Sequence, residues 1–63
     1  MFEIELIEEN TQLQVFKYES NWIPKMGDVL KLPNFRYVQV EYRLKESPTK
    51  IKCIVNHTIP QLV

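Results

Sequence analysis

Apolar and polar residues alternate along the start of the chain, which is the periodicity of a β-strand with one buried face. Phe2 to Leu6 predicts such a strand, with Glu3 and Glu5 on the polar face. After a polar turn, a second strand is expected from about Gln12 to Tyr18, but its apolar phase slips from one face to the other. A β-bulge or sharp bend near Val15–Phe16 would explain this slip and would curve a small sheet.

The pattern further along predicts a short strand and then a long hairpin. Pro24 and Gly27 lie in the longest expected loop, 19–27, and a short strand is expected from Asp28 to Leu32. In the strand that follows, the residues expected to face inward are Val38, Val40, Tyr42 and Leu44, and those expected to face outward are Gln39, Glu41, Arg43 and Lys45. After a tight turn at Ser47-Pro48, the inward residues of the return strand are Ile51, Cys53 and Val55.

Composition supports strands throughout one small domain. The 63 residues include no alanine but fifteen Val, Ile and Thr residues, a balance that favours strands over helices. The length fits a single small β domain, 1–63, and no repeat or linker divides it. We therefore predict an all-β fold of five to six short strands, arranged as a small barrel or a strongly curved antiparallel sheet.

The segment Met26-Gly27-Asp28-Val29-Leu30 resembles SH3-like small β-barrels, which often carry a basic residue and Gly-Asp before an apolar strand at this point. The long strand, tight turn and return strand follow in compatible order, and residues 59–63 look like the short helical turn and final strand of that architecture. The sequence lacks the acidic, tyrosine-rich stretch of signalling SH3 domains and the tryptophan early in the long strand. The resemblance therefore implies a fold and no ligand.

The net charge of zero conceals an uneven distribution of charges. Residues 1–20 carry five Glu and one Lys, a balance of −4, whereas residues 21–63 carry seven basic and three acidic residues, a balance of +4. If Leu44 lies opposite Ile51 in the hairpin, basic residues face each other in two cross-strand pairs: Lys45 with Lys50, and Arg43 with Lys52. An acidic protein surface or a nucleic-acid backbone would relieve that repulsion. In the alternative interpretation, Glu3 and Glu5 lie beside the hairpin and neutralise it within the fold.

The loop 19–27 contains an apolar cluster formed by Trp22, Ile23 and Met26. If exposed, such a cluster is typical of a binding hot spot. The alternative is that Trp22 closes one end of the barrel.

The residues that carry chemistry give no catalytic arrangement. Cys53 and His57 lie four positions apart, which on one strand places them about 13 Å apart, too far for a nucleophile and its base. We expect Cys53 in the core and His57 at a strand end. The sequence has no glycine-rich phosphate loop and no Cys/His set with metal-ligand spacing. No enzymatic activity, catalytic residue, cofactor or metal is therefore expected.

The sequence has one cysteine, no signal peptide and no apolar run of membrane-spanning length. These features predict a soluble cytoplasmic protein with no membrane partner. We predict a non-enzymatic protein-interaction module, such as a small inhibitor or adaptor that occludes a larger protein partner. Its expected contacts are the apolar anchors Trp22, Ile23 and Met26 and the basic residues Arg43, Lys45, Lys50 and Lys52, together with unpaired strand edges. Two alternatives remain: a nucleic-acid-binding small barrel that uses the basic hairpin 43–52, and a self-assembling structural homo-oligomer.

Overall fold

The computed structural model describes residues 1–59 of the chain. This part of the chain contains five strands and no helix; the strands are β1 Phe2–Glu8, β2 Gln14–Ser20, β3 Val29–Lys31, β4 Tyr37–Lys45 and β5 Lys50–Thr58. The prediction of an all-β fold is confirmed. The helical turn and final strand expected within residues 59–63 lie, after Ile59, outside the described residues. No helix in the described range is long and apolar enough to cross a membrane.

The five strands form one sheet, in the order β2-β1-β5-β4-β3, which curls into a half-barrel. β1 pairs antiparallel with β2 but parallel with β5, and β4 pairs antiparallel with β3 and β5. The sheet is therefore mixed, whereas the sequence pattern suggests an antiparallel one. Periodicity cannot distinguish the two arrangements, because it does not say which strands become neighbours. β2 and β3 are the edges of the sheet.

The inner face of the half-barrel contains the hydrophobic core. Its central residues are at most 5% exposed and come mainly from β1, β4 and β5: Ile4, Leu6, Leu32, Val38, Val40, Ile51, Cys53 and Val55. The alternation predicted for β1 and β5 is confirmed. Residues paired directly across strands point to the same face of a sheet. The register therefore assigns each of the remaining strand residues to the inner or the outer face.

β2 contains the predicted bulge. Leu6 pairs with Phe16, but the next residue of β1, Ile7, pairs with Gln14, so Val15 is the additional residue. Because of this bulge, apolar residues that appear to lie on opposite faces of the strand can all contact the core. Val15, Phe16 and Tyr18 all pack against it.

A second bulge in β4 contradicts part of the sequence prediction. Val40 pairs with Val55 and Tyr42 pairs with Ile54, which leaves Glu41 as the additional residue. Beyond it the alternation changes face, so the prediction that Tyr42 and Leu44 point inward is wrong; their side chains are 43% and 49% exposed. They lie on the outer face with Ile54 and Lys52, their cross-strand partners.

Gly27 lies in the turn that ends the loop before β3. Gly27 has φ of +88°, in the region that favours glycine. The carboxylate of Asp28 accepts a hydrogen bond from the Lys25 backbone N–H at 2.9 Å. The Gly27 N–H donates to the Val40 carbonyl at 2.7 Å, which fixes the end of the loop against β4.

Candidate functional site

An apolar groove lies on the inner side of the half-barrel, between the two edges of the sheet. Its volume is about 290 Å³, and its lining residues come from β1, β2, the loop after β2, β3 and the residue after β3: Leu6, Phe16, Tyr18, Trp22, Leu30, Lys31 and Leu32. The groove exists because β2 and β3 are not neighbours in the sheet, so the curl stops short of closure.

Aromatic side chains form much of the groove. The rings of Phe16 and Tyr18 stack with their centroids 5.8 Å apart and an angle of 27° between their planes. Burial raises the pKa of the Tyr18 phenol, with a smaller contribution from Cys53, so the hydroxyl stays protonated at neutral pH and can donate a hydrogen bond. Trp22, which is 58% exposed, lines the same groove. The groove thus offers apolar contact area with polar groups at its margin.

The edge strand beside the groove is also open. β2 pairs with β1 on one side, and no strand among residues 1–59 pairs with its other side. Its seven residues are long enough to accept an added strand through backbone hydrogen bonds. The opposite edge, β3, has only three residues, and Pro33 follows Leu32 directly after it.

The three predicted apolar anchors do not form one surface. Trp22 lines the groove, and its exposure shows that it does not seal the barrel end. Ile23 is half-buried and packs against the core. Met26 is 65% exposed but lines neither the groove nor the pocket that contains Ile23.

The predicted register of the basic hairpin is wrong. Leu44 pairs with Lys52 rather than Ile51, and Ile51 instead pairs with Lys45. Arg43 pairs with Cys53, so none of the basic residues faces another across the hairpin. The physical reason is the bulge at Glu41, which places Arg43 and Lys45 on the inner face.

The other two basic residues lie among carboxylates on the outer face. The parallel pairing of β1 with β5 places Glu3 beside Lys50 and Glu5 beside Lys52. Lys17 forms an ion pair with Glu3 at 2.5 Å. This bond lowers the pKa of Glu3, with a smaller contribution from the Lys50 charge, and the same ion pair raises the pKa of Lys17.

Lys52 also has a carboxylate partner from its own hairpin. Its ammonium lies 2.7 Å from Glu46, and this bond raises the pKa of Lys52, with a weaker contribution from Glu5. Of the two interpretations of the hairpin charge, the structure therefore supports internal neutralisation for Lys50 and Lys52.

Arg43 and Lys45 lie in a different environment. They line a pocket of about 260 Å³ with Ile23 and Ile51. The Arg43 guanidinium donates a hydrogen bond to the Pro24 carbonyl at 3.1 Å, which holds it against the loop. The ion pairs among residues 1–59 are Lys17–Glu3 and Lys52–Glu46. Arg43 and Lys45 therefore have no carboxylate oxygen within 4.0 Å in this part of the chain.

The candidate nucleophile is enclosed in the core. Cys53 is fully buried, and burial raises the pKa of its thiol, although the Arg43 charge opposes this. His57 is exposed and pairs with Val38. Within residues 1–59, no group of three or more His, Cys, Asp or Glu side chains is placed to hold a metal ion.

Sequence reasoning missed most of the groove. Phe16 and Tyr18 look like core residues in the sequence, and Leu30 and Leu32 carry only the signal of a short strand. Their juxtaposition depends on how far the sheet curls, which no local pattern specifies.

Comparison with protein-family models, curated proteins and solved structures finds no match for this chain.

Proposed function

We propose that this chain is a non-enzymatic protein-interaction module that binds an extended apolar segment of a protein partner. The observation that carries the proposal is the open groove lined by Phe16, Tyr18 and Trp22, next to the unpaired edge of β2. A domain this small would act as an inhibitor or adaptor by covering part of a larger surface.

Strand addition is the binding mode that fits these two features. An extended segment would form backbone hydrogen bonds with β2 and would direct alternate side chains towards the groove. Trp22 would supply the largest contact, since it is 58% exposed and lines the groove together with the stacked pair of Phe16 and Tyr18. Large aromatic side chains are common among the residues that dominate binding energy.

The enclosed thiol of Cys53 supports a non-enzymatic role, and the lone cysteine supports a reducing, cytoplasmic location. The Gly27-Asp28 turn and the consecutive antiparallel order of β3, β4 and β5 support an SH3-like barrel.

One structural observation also favours self-assembly, the second candidate. The open edge of β2 would accept β2 of another copy as readily as a partner segment. Sedimentation at micromolar concentration separates the two candidates, because a monomer leaves the groove free for another protein. The nucleic-acid alternative has less support, since the four basic residues of the hairpin are divided between two faces.

A random dodecapeptide library displayed on phage tests the proposal against immobilised protein. We expect enrichment of peptides with alternating apolar residues and loss of their binding in Trp22→Ala. Met26→Ala is the matched control, because Met26 is 65% exposed but lies outside the groove. Circular dichroism would establish that both variants fold. Absence of enriched peptides, or equal binding by Trp22→Ala and the unsubstituted protein, would contradict the proposal.

A further inference from the structure

The inner-face pocket beside the groove contains two cations that the proposed apolar segment does not use. We infer that this pocket binds a carboxylate, supplied by an Asp or Glu side chain of the same partner segment. The inference rests on the proposed function and specifies the chemistry of the partner.

The pocket combines positive charge with an apolar floor. Arg43 and Lys45 project from β4, while Ile23 and Ile51 complete the lining. Ile51 is only 3% exposed and belongs to the core, and the half-buried Ile23 packs against that core. A guanidinium and an ammonium on such a floor suit an acidic side chain, whose methylene groups contact the isoleucines while its carboxylate meets the cations.

Three carboxylates of the hairpin and of the turn before β3 have partners outside this pocket. Glu46, on the same hairpin, pairs with Lys52 on the outer face. Asp28 accepts the Lys25 N–H, and Glu41 accepts a hydrogen bond from the Asn56 amide at 3.1 Å. The positive charge of Arg43 and Lys45 is therefore available to a ligand.

The bulge at Glu41 explains why the two cations lie there. Without the change of face it causes, Arg43 and Lys45 would point outward, as the sequence pattern suggests. Bulges are common beside functional sites, where they redirect a side chain. The hydrogen bond from Arg43 to Pro24 then positions the guanidinium beside the loop.

The pocket and the groove are adjacent along the chain. Trp22 lines the groove and Ile23, the next residue, lines the pocket, so the same loop separates the two. An extended segment that crosses the loop would contact both. Its acidic residue would then occur at a fixed spacing from its apolar anchor.

The same displayed library tests this inference. We expect Asp or Glu to be enriched at one fixed position relative to the apolar residues. A synthetic peptide of the consensus sequence should bind Lys45→Glu about 3- to 10-fold more weakly, and selection against that variant should favour Lys or Arg at the position. Lys50→Glu is the matched control, because it makes the same charge change on the outer face.

The possible outcomes separate the inference from the proposed function. Apolar peptides without an acidic preference would overturn the inference and leave the groove proposal intact. Equal weakening by Lys45→Glu and Lys50→Glu would also overturn it, because general attraction would then account for the acidic residue. Absence of any enriched peptide would overturn both.

Discussion

Replacement of Trp22 by alanine should remove a binding contact at a limited cost in stability. Trp22 is 58% exposed, so 42% of its surface is buried in the folded chain. Burial of a large aromatic side chain removes roughly 150–250 Å² from water, of which this fraction is about 60–105 Å². At about 25 cal/mol per Å², the loss is about 1.5–2.5 kcal/mol, and residual structure in the unfolded chain lowers it further.

Leu6→Ala provides the contrast, since Leu6 is only 1% exposed at the centre of the core. Removal of such a side chain leaves a cavity and costs about 2–5 kcal/mol. Urea unfolding followed by circular dichroism measures both variants; tryptophan fluorescence is unsuitable because Trp22 is the only tryptophan. We expect Trp22→Ala to lose less than Leu6→Ala, with an unchanged dependence on urea. An equal or larger loss would refute the reasoning, because Trp22 would then be a core residue and the groove would be closed.

Three further predictions concern the charge, the core and the loop. Since the ion pair with Lys17 lowers the pKa of Glu3 in the folded state, its stabilisation is present above the ordinary value of 4.5 and disappears as pH falls through the lower folded pKa. Acid unfolding of Glu3→Gln should accordingly show a weaker pH dependence below pH 4.5 than the unsubstituted protein. Cys53, which is fully buried, should react with a thiol reagent at pH 8 much more slowly in buffer than in denaturing urea; equal rates would contradict its placement. Gly27→Ala should lower stability by about 1 kcal/mol in thermal unfolding, because Gly27 has φ of +88° although its surroundings leave room for a methyl group.

Local pattern is enough to predict the buried residues of β1 and β5. The alternation at Ile4 and Leu6, and again at Ile51, Cys53 and Val55, corresponds to side chains that the structure buries. The phase slip near Val15 also revealed its bulge, because apolar residues on both faces of one short strand need a local irregularity.

The second bulge left no such signal. Apolar and polar residues continue to alternate through Tyr42, Arg43 and Leu44, so the sequence looks regular although the backbone contains an additional residue at Glu41. Only the register against β5 reveals the change of face. The bulge also changes the candidate site, because it places Arg43 and Lys45 on the inner face while Lys50 and Lys52 stay on the outer face.

The sequence pattern also does not predict which distant strands become neighbours in the sheet. The parallel pairing of β1 with β5 places Glu3 and Glu5 beside Lys50 and Lys52, which the sequence permits but does not require. The groove depends in the same way on the curl of the whole sheet.

Binding of a partner segment at the open edge of β2 is tested most directly by amide hydrogen exchange with and without a peptide selected from the library. Exchange should slow at the backbone amides of β2 that face away from β1, and the Trp22 indole resonance should shift in the same titration. A peptide that binds without protecting these amides, or that protects only outer-face residues around Tyr42, would contradict binding in the groove.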